Sequence, residues 1–171
     1  MNRKTSALLS FALLVLLTQS ATYAGSGGAY SPEHANFSGR WRMNKEKSDF
    51  AKFKVPDMIV RVIDHHDPTM NVHTVQTIGD KTTSSDVSYF TDGTASSNVI
   101  NGRDATSRTY WDGEALVVRT DMKTANNEDE QIEDRYELSA DGGTLTTTSH
   151  VVTSKGDVTM KLVCDKEKVG G

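Results

Sequence analysis

From Phe37 onward the chain falls into short stretches rich in Val, Thr, Ile and Tyr, in which apolar and polar side chains take turns, and each stretch ends at a compact turn signal. Alternation with period two is the pattern of a strand with one covered and one open face. The predicted strands are 37–43, 57–64, 69–78, 81–90, 95–100, 103–111, 115–124, 129–138, 144–153 and 157–165. Between them lie His65-His66-Asp67-Pro68, Gly79-Asp80, Asp92-Gly93, Asn101-Gly102, Asp112-Gly113, Asn126-Asn127, Asp141-Gly142-Gly143 and Lys155-Gly156. Asn-Gly and Asp-Gly favour the positive φ angles of tight hairpins, so nearly every connection joins antiparallel neighbours. No helical segment of βαβ length intervenes, which excludes a parallel sheet. The expectation is an all-β, antiparallel up-and-down meander of 8–10 strands closed into a barrel, since closure removes exposed edges. The exception is Asn44–Pro56, where Ser48 as a cap and Phe50 and Phe53 as an apolar pair predict a short helix or a loop across one barrel mouth.

One apolar run does not alternate. Ala7–Leu17 follows Arg3 and Lys4 and precedes Ser20-Ala21-Thr22-Tyr23-Ala24, the layout of a cleaved secretory signal and too short to span a bilayer. The predicted organisation is a signal at 1–24, a flexible Gly/Ser-rich lead-in at 25–36, the barrel at 37–166 and a disordered tail at 167–171. No cysteine follows the apolar run for lipid attachment, so the expected product is a soluble secreted or periplasmic protein with no membrane span, monomeric or weakly oligomeric. Without its leader it carries 17 basic against 23 acidic side chains, a formal charge of −6, which excludes a strongly basic nucleic-acid binder. Cys164 is the only cysteine, so no internal disulfide forms and core burial alone must stabilise the fold. In Val158-x-Met160-x-Leu162-x-Cys164 it lies in an apolar phase and reads as a core residue.

The more apolar phase of each strand, taken as inward, is Val72, Val87, Tyr89, Val99, Tyr110, Leu116, Val118, Met122, Ile132, Tyr136, Leu138, Leu145, Val151, Met160 and Leu162. The same phase carries Thr74, Gln76, Ser85, Ser97, Thr106, Arg108, Thr120, Asp134, Thr147 and Ser149. Buried hydroxyls and charges need partners, so either a solvated cavity holds an amphipathic ligand, or Thr pairs and an Arg108–Asp134 ion pair satisfy one another in a filled barrel. In the cavity reading Arg108, with Tyr110 and Tyr136, is the polar anchor, and Tyr89, Val118 and Met122 line the apolar wall. A one-residue slip turns any of these strands inside out.

Gly39-Arg40-Trp41, with Phe37 before it, resembles the Gly-x-Trp opening of the lipocalin and fatty-acid-binding-protein superfamily of small β-barrels. The longer string Phe37–Asn44, with Lys47-Ser48-x-Phe50, is similar to the start of lipocalin-like proteins exported by many bacteria, and the Trp111-Asp112-Gly113 and Leu138–Gly142 turns are similar to turns of that group. The resemblance implies that Trp41 closes one end of the barrel and packs against a basic residue near the last strand, Lys161 or Lys166. It implies small hydrophobic or amphipathic ligands. The chain departs from fatty-acid-binding proteins in having 13 residues in place of their two-helix lid and no Arg-x-Tyr clamp near the C-terminus.

Other constellations are weaker. Asp64-His65-His66-Asp67 alternates across two faces and lacks a second His pair, so it reads as a surface hairpin and not a metal site. His73 and His150 fall in outward phases, and Glu128–Asp134 lacks the glycine-turned spacing of a calcium loop. No nucleophile elbow or phosphate loop is present, and no cofactor is expected. The function expected is non-catalytic binding of a small hydrophobic or amphipathic molecule; the alternatives are a cell-envelope interaction module with a filled barrel, or a barrel-fold isomerase or haem protein. Produced with its leader in a secreting bacterial host, the protein is expected to begin at Gly25, a cleavage read out by N-terminal sequencing and intact mass.

Overall fold

A computed structural model describes residues 34–168; the predicted signal at 1–24, most of the predicted lead-in and residues 169–171 lie outside the described residues. Ten strands follow in order: β1 Gly39–Met43, β2 Met58–His66, β3 Thr69–Ile78, β4 Lys81–Phe90, β5 Ser96–Ile100, β6 Arg103–Asp112, β7 Ala115–Lys123, β8 Asp129–Leu138, β9 Thr144–Thr153 and β10 Gly156–Lys166. Every strand pairs antiparallel with its sequence neighbour except β4 with β5, and β1 pairs with β10, giving the order β4-β3-β2-β1-β10-β9-β8-β7-β6-β5. The sheet therefore curls into a barrel whose one seam lies between β4 and β5. Side chains bridge that seam. The Asn98 amide accepts from Ser88 N at 2.8 Å and donates to Ser88 O at 3.0 Å, standing in for a pair of ladder bonds. Thr109 adds a hydroxyl bond to Phe90 O.

Among the described residues there is no helix. Residues 44–56 take the loop alternative, with Asn44 N donating to Val163 O and Asp49 pairing through its backbone with Lys161 at 2.7 Å in both directions. Phe50 turns against the core, whereas Phe53 and Val55 are exposed. Glu167 donates its backbone N–H to Arg40 O, and its carboxylate pairs with Arg40 and Arg42, which holds it below the usual carboxylate range despite some opposing desolvation.

One end of the barrel is packed solid. Phe37, Trp41, Met70, Leu116, Val118 and Leu145 are fully buried there, with Tyr89, Tyr136 and Cys164 against them. Trp41 donates its indole N–H to Phe37 O at 2.9 Å, so the polar edge of the largest core residue is satisfied by the chain segment that enters β1. Burying such a ring contributes about 4–6 kcal/mol at 25 cal/mol per Å². The basic partner is Lys166, whose Nζ sits 5.0 Å from the Trp41 ring centre; Lys161 is exposed on the barrel wall. Gly39 makes this stack possible. It has φ +149°, and a Cβ there would come within 2.8 Å of the Lys166 side chain. His34 extends the closure by stacking on Trp111 at 4.1 Å, so ordered packing starts three residues before Phe37. Gly39→Ala is expected to destabilise the barrel by roughly 1–3 kcal/mol, measured as a lower urea midpoint with an unchanged slope.

Candidate functional site

The pairing register decides which side chains enter the barrel, because directly opposed residues in an antiparallel pair share a face. Leu116, Val118, Thr120 and Met122 of β7 point inward, as predicted, and so do Ile132, Asp134 and Tyr136 of β8, opposite them. The β6 partners of that β7 face are Trp111, Thr109, Ser107 and Ala105. Arg108 and Tyr110 therefore lie on the outside, contrary to the expectation from sequence, and so do Ser97, Val99 and Thr106. Tyr110 is part of an exterior ladder, where it accepts from Arg119 at 3.2 Å under that guanidinium, and Arg119 in turn pairs with Glu133 at 2.6 Å. Arg108 donates to Gly93 O, and the predicted Arg108–Asp134 ion pair does not exist. Beyond Trp111 the inner face of β6 is lined by small residues, Thr109, Ser107 and Ala105. Ser107 and Thr120 share a buried hydrogen bond at 2.7 Å, and Val99 and Tyr110, the bulky apolar residues that set the predicted phase, face solvent.

The cation inside the barrel is Arg61. β2 is nearly continuous in apolar residues, so its own pattern assigns no face; its pairing places Arg61 opposite Trp41 on one side and Thr74 on the other. From there Arg61 reaches across the lumen to donate from Nη1 to Thr147 Oγ1 of β9 at 2.9 Å, and its guanidinium lies 5.9 Å from the Tyr136 ring centre. Its Nε has no partner, the one such buried side-chain nitrogen or oxygen among the described residues. Arg61 thus divides the interior into the packed end below and a cavity of about 310 Å³ above. Val72, Val87, Ile100 and Ile132 give that cavity apolar walls; Thr74, Gln76, Thr83, Ser85, Asn101 and Asp134 give it polar ones, with Tyr89 and Tyr136 at its floor.

Arg61 and Asp134 lie deep in the barrel and keep solvent contact only through this cavity. Burial pushes the Asp134 carboxyl above its ordinary value, against the Ser149 hydroxyl that donates to it and the Arg61 charge. Burial likewise pushes Tyr136 up to about 12, with Arg61 opposing and Asp134 adding to the shift, and raises Tyr89 well above its usual 10. Cys164 is buried in the packed end and its thiol is pushed up to about 11, first by desolvation, which removes the thiolate that reactivity needs. Of the residues predicted to bind ligand, Tyr89 and Tyr136 line the cavity, while Val118 and Met122 point inward without bordering it.

The Asp64–Asp67 cluster splits between faces. His66 pairs with Asp64 outside. His65 is buried instead of lying on a surface hairpin. Its Nδ1 accepts from Phe37 N at 3.3 Å, which leaves Nε2–H to donate to Asp67 at 3.0 Å. Asp67 also accepts from Thr91 and borders an open exterior groove of about 550 Å³ with His34, Tyr110 and Trp111. The interior cavity, unlike that open groove, is enclosed by the barrel and brings Arg61 and Asp134 together with apolar walls, which marks it as the candidate site.

No protein-family model matches the chain, and no curated protein matches its sequence. Solved structures do. Secretory abundant heat soluble protein 4 from Ramazzottius varieornatus is 13% identical, with TM-score 0.56, over 81% of this chain and all of that one. Lipid binding protein 8 of Caenorhabditis elegans is 13% identical, with TM-score 0.54, over 77% and 95% of the two chains. The zebrafish ileal bile acid-binding protein, solved with cholic acid, is 15% identical, with TM-score 0.53, over 77% and 98%.

Because the folded protein keeps a Tyr136 proton that the unfolded chain releases near its ordinary value of 10, the unfolded state binds fewer protons above that pH and stability falls between about 10 and 12. Tyr136→Phe is expected to flatten this alkaline decline, as followed by urea melts alongside tyrosinate absorbance. The sheet order, the single seam and the packed Trp41 end make the fold that of the calycin-type barrels to which fatty-acid-binding proteins belong.

Proposed function

We propose that this protein is exported by way of its cleaved leader and binds one small amphipathic molecule inside the barrel, without chemistry. The observation that carries the reading is the cavity of about 310 Å³ inside the barrel, bounded by apolar side chains together with Arg61 and Asp134. A cation and a carboxyl group inside a barrel need polar partners or open volume beside them, and the cavity supplies that volume. Ligand cavities of this order combine apolar walls with a few convergent polar groups. Here Val72, Val87, Ile100 and Ile132 would cover the body of the ligand, and Arg61, Tyr89, Tyr136 and Asp134 would hold its head. The structural neighbours named for bile-acid and lipid binding support this assignment through their shared architecture alone.

The reading is tested with 1-decanol and isothermal titration calorimetry. Saturable one-to-one binding is expected for the wild-type chain, with a loss of at least tenfold in Ile132→Trp, whose indole occupies the cavity, and no change in Tyr110→Ala on the outer wall. Absence of wild-type binding, or equal binding by Ile132→Trp, overturns it.

A further inference from the structure

The interior cavity brings one cation and one carboxyl group together from opposite walls. Arg61 enters from β2 and Asp134 from β8, and each is held by a hydroxyl of β9: Arg61 donates to Thr147, and Asp134 accepts from Ser149. The two charges are thus near one another without closing into an ion pair, so both present hydrogen-bonding capacity to the cavity. Between them a ligand head meets donors at Arg61 and the tyrosine hydroxyls and an acceptor at Asp134. We propose that the cavity takes an amphiphile with an uncharged head that both donates and accepts, such as an alcohol or an amide, and binds an anionic head more tightly once Asp134 carries a proton. This rests on the ligand-binding reading above and assigns its ligand class.

The electrostatics follow from the surroundings of Asp134. Facing it are Arg61 from β2, Tyr89 from β4, Tyr136 on its own strand, Val118 and Thr120 from β7, and Thr147 and Ser149 from β9. From β10 the inward residues are Val158, Met160, Leu162 and, in the packed end, Cys164, whose thiol burial keeps protonated. Nearer the mouth, Arg103 and Glu130 neutralise each other at 3.1 Å. With both tyrosines held protonated by burial, the net charge around a bound head is zero while Asp134 is ionised and +1 once it is protonated. An anionic head gains attraction from Arg61 and meets repulsion from Asp134 in the first state and only attraction in the second. Burial raises the Asp134 value, so the change falls above the ordinary carboxylate range, and anion affinity rises as pH falls through it. A neutral head is indifferent to the change in net charge.

The test compares 1-decanol with decane-1-sulfonate, an anion at every pH used, on the full chain by calorimetry at pH 8 and pH 4. Decanol is expected to bind equally at both. The sulfonate is expected to bind roughly tenfold or more tightly at pH 4, the scale of one added charge interaction at this range, with uptake of a proton detected as a dependence of heat on buffer ionisation. Asp134→Asn is expected to bind the sulfonate at pH 8 as the wild type does at pH 4, and Arg61→Met to lose the sulfonate at both. The proton-uptake measurement needs no variant and stands if either fails to fold. Decanol binding together with sulfonate affinity that ignores pH, or a pH effect that survives Asp134→Asn, overturns this inference and leaves ligand binding intact. Binding of neither probe at either pH overturns both.

Discussion

Arg61 crosses a barrel lumen from one wall to hydrogen bond with the other, and the remaining architecture is arranged about that crossing. A guanidinium carries five donors and cannot shed its charge, so enclosing it between sheets requires acceptors or an open volume on at least one side. The barrel supplies both: a Thr147 hydroxyl, the Tyr136 ring and the Asp134 carboxyl on one hand, and a water-accessible cavity on the other. Below the guanidinium, Trp41, Phe37, Leu116 and Leu145 fill the interior; above it, no comparably large side chain does. The boundary between packed core and cavity is the plane of one charged side chain.

That division explains a barrel of ten strands with few aromatics and many Thr and Ser residues. The stability of the fold is concentrated at the Trp41 end, where Lys166 covers the indole, Gly39 leaves room for it, and the His34–Phe37 segment closes the opening. The cavity end is relieved of packing duty, so its inner surface can be polar. The seam between β4 and β5 is closed by Asn98 and Thr109 side chains, a looser closure than a hydrogen-bond ladder and one that lies beside the cavity wall formed by Val87 and Tyr89.

The misplacement of Arg108 and Tyr110 has an identifiable cause. In the β6–β7 hairpin Asp112 opposes Ala115 across a two-residue loop, so any pair of positions summing to the same value shares a face. Leu116 inward therefore requires Trp111 inward and Tyr110 outward. The apolar phase of a single strand does not carry that coupling: the bulk of Val99 and Tyr110 sets a phase opposite to the one on which Trp111 and the small residues of β6 line the lumen. The same rule applied to β2 and β3, joined through Asp67-Pro68, takes Thr74 inward and delivers Arg61 with it. The signal for the true anchor was present in the turn spacing and not in the hydrophobicity of β2.

Alternation and turn chemistry are local properties, written every two residues and at every Asn-Gly or Asp-Gly, and from them the sequence alone determined the ten strands, their antiparallel order and the β-barrel class. Tyr89 and Tyr136 were legible as interior residues for the same reason, and Trp41 through the Gly-x-Trp resemblance. What only the tertiary structure decided was which charges meet. Asp134, Thr147 and Ser149 belong to the β8–β9 hairpin, but Arg61 comes from β2, far away in sequence, and only closure of the sheet sets it across one lumen from them. Strand faces repeat with period two, but the distance across a barrel has no period in the sequence; it is fixed by how many strands close the ring and by the bulk at its packed end.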